Sequence, residues 1–72
     1  MIVSVIGLGY IGLPTAAILA SRGVDVIGVD VNQNAVDIIN QGKIHIVEPE
    51  LDAFVREAVE KDQLKAVIKP EK

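Results

Sequence analysis

Cysteine is absent from the 72 residues. That excludes disulfides, thiolate metal sites and cysteine nucleophilic catalysis within this stretch. Basic charge is also scarce. Seven Lys and Arg face ten Asp and Glu, for a net charge of −3. No broad cationic surface is available for nucleic acid or an anionic membrane, so neither is an expected partner. No apolar run reaches the ~18 residues that a membrane span needs. The apolar opening Met1–Ile6 lacks a basic leader and is broken at once by glycines, which argues against a secretory signal. Repeats, low-complexity tracts and interdomain linkers are missing as well. These absences leave a cytoplasmic protein as the default expectation.

What is present is apolar content and glycine in a particular order. Half of the residues are hydrophobic, enough for one small α/β unit with a thin core. Ile2-Val3-Ser4-Val5-Ile6 reads as a strand of a parallel sheet, near-continuously apolar and β-branched, as expected when helices cover both faces. Gly7-Leu8-Gly9-Tyr10-Ile11-Gly12 follows directly and opens a segment of helical periodicity. A second strand, Val24 to Asp30, ends in an acid 18 residues after Gly12. A lone GxGxxG is weak, but strand, glycines, helix and acid in this order predict a dinucleotide-binding βαβ unit.

The chemistry accounts for each residue type. Gly7 allows the tight turn off the strand. Gly9, without a side chain, lets backbone approach a pyrophosphate, and Gly12 lets the helix pack closely. Tyr10 and Ile11 lie between them and would act through main-chain N–H groups, which a helix N-terminus leaves unpaired and partly positive. Asp30 falls where an adenosine ribose would lie. Its carboxylate can accept from both ribose hydroxyls and would repel a 2′-phosphate; no arginine follows in Val31-Asn32-Gln33-Asn34, so NAD is favoured over NADP. The plainer alternatives are a ligand-free βα turn for the glycines and a turn or cap role for Asp30.

The periodicity predicts a first helix from Tyr10 or Ile11 to Arg22, with Gly23 as its stop and Pro14 in the first turn. Gly12, Ala16 and Ala20 place a small-residue stripe on one face. In the second strand Val26, Ile27 and Val29 supply core contacts, and Gly28 leaves room for a close neighbour. Asn32 or Asn34 caps a second helix reaching about Asn40, stopped by Gly42. Lys43 to Glu48 is a connection that could be briefly extended. Pro49 suits the first turn of a third helix, whose Leu51, Phe54, Val55, Ala58 and Val59 form an apolar stripe. Glu57 and Lys61 form an i, i+4 pair. Leu64 to Ile68 is a third strand, and Lys69-Pro70-Glu71-Lys72 a polar tail. His45, the single histidine, has no second ligand at a metal-binding spacing and reads as structural. The acidic Glu48, Glu50 and Asp52 fit helix N-terminal electrostatics better than a metal site.

The sum is an α/β, Rossmann-like half domain: a three-stranded parallel sheet in order 3-2-1, with right-handed crossovers and flanking helices. A whole dinucleotide-binding domain needs a second half. Residues 1–72 are therefore expected to be the N-terminal part of an NAD-binding Rossmann domain. The first strand is then an open apolar edge, which predicts self-association into a homo-oligomer.

Together, Val5-Ile6-Gly7-Leu8-Gly9-Tyr10-Ile11-Gly12-Leu13-Pro14, Gly28-Val29-Asp30 and Glu48-Pro49-Glu50-Leu51 resemble the N-terminal signature of the nucleotide-sugar 6-dehydrogenases. That family includes UDP-glucose, UDP-N-acetylmannosamine and GDP-mannose dehydrogenases. UDP-glucose dehydrogenases usually carry Pro-Ile-Tyr or Phe before Glu-Pro-Gly-Leu. The variant here, Ile44-His45-Ile46-Val47-Glu48-Pro49-Glu50-Leu51, is similar to the UDP-N-acetylmannosamine branch. The resemblance implies an enzyme that oxidises a sugar C6 alcohol to a carboxylate with two NAD, on a UDP-sugar substrate. It also implies a catalytic cysteine that forms a thioester, assisted by lysine, asparagine and aspartate, all beyond residue 72. Only cofactor residues carry over: Gly7, Gly9, Tyr10, Ile11, Gly12 and Asp30. Many relatives have Lys or Arg near position 35; this chain has Ala35.

Overall fold

A computed structural model describes residues 2–69. The chain runs β1 (Ile2–Ile6), α1 (Gly12–Ser21), β2 (Asp25–Val29), α2 (Gln33–Asn40), α3 (Leu51–Glu60) and β3 (Leu64–Val67). The strands form one parallel sheet with β2 in the centre, the expected 3-2-1 order. Pairing is in register from Ile2 opposite Asp25 to Ile6 opposite Val29, and from Val26 opposite Leu64 to Val29 opposite Val67.

Alternation along the strands decides which side of the sheet is covered. Val3, Val5, Val26, Gly28, Leu64 and Ala66 share one face by register. Against that face lie Leu13, Ala16, Ala17 and Ala20 of α1 and Val55 and Ala58 of α3, in a single core cluster. Small residues on α1 bring it close to the sheet, as the Gly12, Ala16, Ala20 stripe implies. The other face of β1 is bare. Ile2 is 68% exposed and Ile6 71%, with Ser4 exposed between them. The reading of β1 as covered on both faces is thus corrected: among the described residues, helices cover one face only. An apolar run reports that both faces suit burial, not that both are buried within these residues.

Helix boundaries follow their local chemistry. Asn32 caps α2, its Oδ1 accepting the Ala35 N–H at 3.2 Å. Gly23 and Gly42 sit at φ +87° and +77° just beyond the ends of α1 and α2, a conformation natural to glycine. Pro14 lies in the first turn of α1. Pro49 does not lie in α3. It stands in the preceding turn, and the Leu51 N–H returns to the Glu48 carbonyl at 3.3 Å. Glu50 then takes a left-handed conformation, φ 67°, at the N-cap of α3. Residues 43–48 contain no strand, so the extended option there is not taken. Phe54 is 43% exposed, leaving Leu51, Val55 and Ala58 as the buried stripe of α3. The predicted Glu57–Lys61 pair forms at 2.8 Å on the exposed face. Of the polar tail, Pro70, Glu71 and Lys72 lie outside the described residues.

Candidate cofactor site

The C-terminal ends of the strands bring Gly7 to Gly12 beside Asp30. Gly28 and Val29 of β2, with Asp30 just past its end, grip this loop at three points. Gly7, at φ +84°, turns off β1 and donates its N–H to the Val29 carbonyl at 2.7 Å. Leu8 is wholly buried, and a Cβ on Gly28 would stand 2.7 Å from Leu8 Cδ2. Gly28 is therefore the space into which Leu8 fits. The Leu8 N–H donates to Asp30 Oδ2 at 3.0 Å. The other carboxylate oxygen, Oδ1, accepts the Asn32 N–H at 2.9 Å. Asp30 thus has the turn role considered from sequence, and each oxygen retains a lone pair for another donor. The Asn32 and Leu8 N–H groups hold its carboxyl below the ordinary value of 3.8, so it is ionised near neutrality.

Beyond Leu8 the donors are different. The N–H groups of Gly9, Tyr10, Ile11 and Gly12 have no protein acceptor among the described residues. They form the unsatisfied start of α1, where partial positive charge also accumulates. A Cβ on Gly9 would meet nothing within 4 Å, so its backbone is open to a ligand. A Cβ on Gly12 would fall 1.6 Å from the Gly7 carbonyl oxygen. The third glycine is therefore required by the loop's closure onto the helix, whereas toward the sheet a Cβ there would meet Val5 Cγ1 at an ordinary 3.6 Å. The Tyr10 and Ile11 side chains point away from the core, 65% and 84% exposed, in keeping with a main-chain role. An open groove of about 570 Å³ runs along Val5, Gly7, Gly9, Ile11 and Thr15, and a smaller one of about 160 Å³ lies between Gly7, Val29 and Asp30.

Four free N–H groups beside an ionised carboxylate suit a ligand with an anionic diphosphate next to a diol. Residues 1–72 match the NAD binding domain of the UDP-glucose/GDP-mannose dehydrogenase family. The chain belongs to this family. Its domain binds NAD. Over 69 residues the chain is 70% identical to UDP-N-acetyl-D-mannosamine dehydrogenase of Campylobacter jejuni, covering 96% of this chain and 17% of that protein. It is 67% identical over 69 residues to an NDP-N-acetyl-D-galactosaminuronic acid dehydrogenase of Ralstonia nicotianae, again covering 96% of the chain and 16% of that protein. Among solved structures, UDP-N-acetyl-mannosamine dehydrogenase of Staphylococcus aureus superposes with a TM-score of 0.94 at 45% identity, over 99% of this chain and 17% of that one. The chain therefore spans about one sixth of the length of these relatives.

Leu8 and Asn40 are the residues whose work the sequence did not announce. Leu8 looks like filler between glycines, and its pairing with Gly28 is a long-range fact. Asn40 closes the far edge of the sheet. Its amide donates to the Ala66 carbonyl at 2.9 Å and accepts the Ala66 N–H at 2.8 Å, as a neighbouring strand would. Ala35 is buried at 3% exposure and offers nothing to the ribose. His45 is half-buried with Nδ1 enclosed and unpartnered. No group of three metal-ligating side chains stands together, and no helix is long and apolar enough to cross a membrane, among the described residues.

Proposed function

We propose that these residues are the N-terminal part of the cofactor domain of a cytoplasmic enzyme that oxidises UDP-N-acetyl-D-mannosamine to UDP-N-acetyl-D-mannosaminuronate. The overall change converts the C6 alcohol and one water to a carboxylate, with two NAD⁺ reduced to two NADH and three protons released. The observation that carries the reading is the free N–H array of Gly9 to Gly12 set beside Asp30 in a chain of this family. Within these residues the part played is binding. The loop N–H groups meet the pyrophosphate, and Asp30 accepts from the adenosine ribose and excludes a 2′-phosphate. NAD, when bound, accepts the hydride; the groups that act on the sugar belong to other segments, since no cysteine is present here. The 72 residues alone are accordingly expected to turn over no nucleotide sugar.

The 67% identity to the Ralstonia protein supports a second reading, a sister enzyme acting on another N-acetylated nucleotide sugar. The test is to assay the intact protein with NAD and each of UDP-N-acetylmannosamine, UDP-N-acetylgalactosamine, UDP-N-acetylglucosamine and UDP-glucose. Two NADH per UDP-N-acetylmannosamine, with the highest kcat/KM for that sugar, is the expected result. A higher kcat/KM for another sugar overturns the substrate assignment. In the same protein Asp30→Ala should narrow the preference for NAD over NADP by about 1.5–3 kcal/mol, the worth of charge-assisted hydrogen bonds. An unchanged ratio of the two kcat/KM values would remove Asp30 from the ribose site.

A further inference from the structure

We propose that Asp30 is also a positioning residue for the phosphate site, acting as a latch that holds the glycine loop through the Leu8 N–H. This rests on the assignment of Asp30 to the ribose and adds a second role to the same carboxylate. The geometry is specific. Leu8 and Asp30 are 22 residues apart, and their 3.0 Å bond is partly shielded from water. The Leu8 side chain is seated over Gly28 of β2, so the residue is held at its side chain by that strand and at its backbone by Asp30 just beyond it. The next four N–H groups, from Gly9 to Gly12, are those left free. The last fixed point before the phosphate donors is therefore the bond to Asp30.

The consequence is coupling between two parts of one ligand. A carboxylate bound to the ribose is the same carboxylate that keeps the N–H array in position, so ribose recognition and diphosphate recognition reinforce each other. A donor array held in its binding geometry loses less entropy on binding than a loose one. A ligand that pushes Asp30 aside, as a 2′-phosphate would, also releases Leu8 and loosens the array. Discrimination against such a ligand then has two components, repulsion at the ribose and a weakened diphosphate site.

The two roles separate with a ligand that keeps the diphosphate and lacks the diol. Binding of 2′,3′-dideoxy-ADP to the intact protein is measured by calorimetry for wild type, Asp30→Ala and Asp30→Asn. Removing a negative charge near a diphosphate should by itself tighten binding. Loss of the latch predicts the opposite, a Kd raised by about fivefold or more for Asp30→Ala, in the range of ordinary intersite coupling. Asp30→Asn keeps the side-chain volume and one acceptor oxygen, and should fall between wild type and Asp30→Ala. Hydrogen exchange of a loop peptide covering residues 7–13, in the absence of ligand, should quicken in both variants. If Asp30→Ala does not fold, Asp30→Asn decides alone, with a smaller rise in Kd and faster loop exchange expected. Unchanged or tighter dideoxy-ADP binding, or unchanged loop exchange, overturns the latch. Equal wild-type affinity for ADP and dideoxy-ADP would instead overturn the ribose assignment, and leaves the latch to be decided by the variant comparison.

Discussion

Asp30 shows at a single residue how an electrostatic interaction sets a pH response. Two backbone N–H groups, from Asn32 first and then Leu8, favour the charged carboxylate and lower its pKa in the folded chain. Its contribution to stability is therefore complete above the ordinary value of 3.8 and is lost as pH falls through the lower folded value. Wild type should be more stable than Asp30→Asn at neutral pH, and the gap should close as pH falls below the ordinary value of 3.8 and through the lower folded value. Urea midpoints of both proteins across that range would check it; a gap independent of pH would mean that the two bonds do not depend on charge. Glu50 presents a steric case. Its φ of 67° crowds Cβ against the backbone. Glu50→Gly should stabilise the 72-residue chain by about 1 kcal/mol, read as a higher urea midpoint. A lower midpoint would show that the Glu50 side chain contributes more than the strain costs.

At the scale of elements, the two edges of the sheet differ. The middle of β3 has a surrogate strand in the Asn40 side chain, which supplies one donor and one acceptor to Ala66. Asn40→Ala leaves both Ala66 groups without that partner and should cost about 1–3 kcal/mol, the desolvation penalty of an unmade bond. Chemical denaturation measures this; a loss well below that range would indicate that water replaces the amide at no cost. The position of Asn40 follows from α2. Asn32 begins that helix, Gly42 ends it, and the buried Ala35, Val36 and Ile39 fix its rotation. The sheet edge is thus protected by the last residue of a helix whose length is set by a cap and a glycine.

The other edge, along β1, has no such cover among the described residues, and the whole molecule is shaped by that difference. Ile2 and Ile6 are exposed on the bare face, and the strand's outer N–H and C=O groups are unpaired with any described strand. An apolar strand with an open edge is a template for association. The 72-residue chain should form dimers through β1, since the β3 edge is blocked at its centre. Asn40→Ala, which opens the second edge, should shift the distribution to larger species. Sedimentation equilibrium over a concentration series distinguishes the two. A wild-type chain that stays monomeric at high micromolar concentration would count against association through β1.

Much of this was legible in one dimension because it depends on local rules. Alternating strand and helix periods, the Gly7–Gly12 spacing, Asp30 at a strand end, the Asn32 cap and the helix-stopping glycines each follow from the conformational limits of a few adjacent residues. They determined the element order, the parallel sheet and the place of the glycine loop. Pro49 lies two residues before α3 and not in its first turn, because a proline suits both a first helical turn and the turn before it. Tertiary structure alone decided what depends on residues distant in sequence: Leu8 seated on Gly28, Asp30 bonded to the Leu8 N–H, Asn40 closing β3, and one face of β1 left uncovered. Periodicity tells which faces can be buried. Which partner buries them, and which hydrogen bonds close across the fold, is decided only when the strands pair and bring those groups within reach.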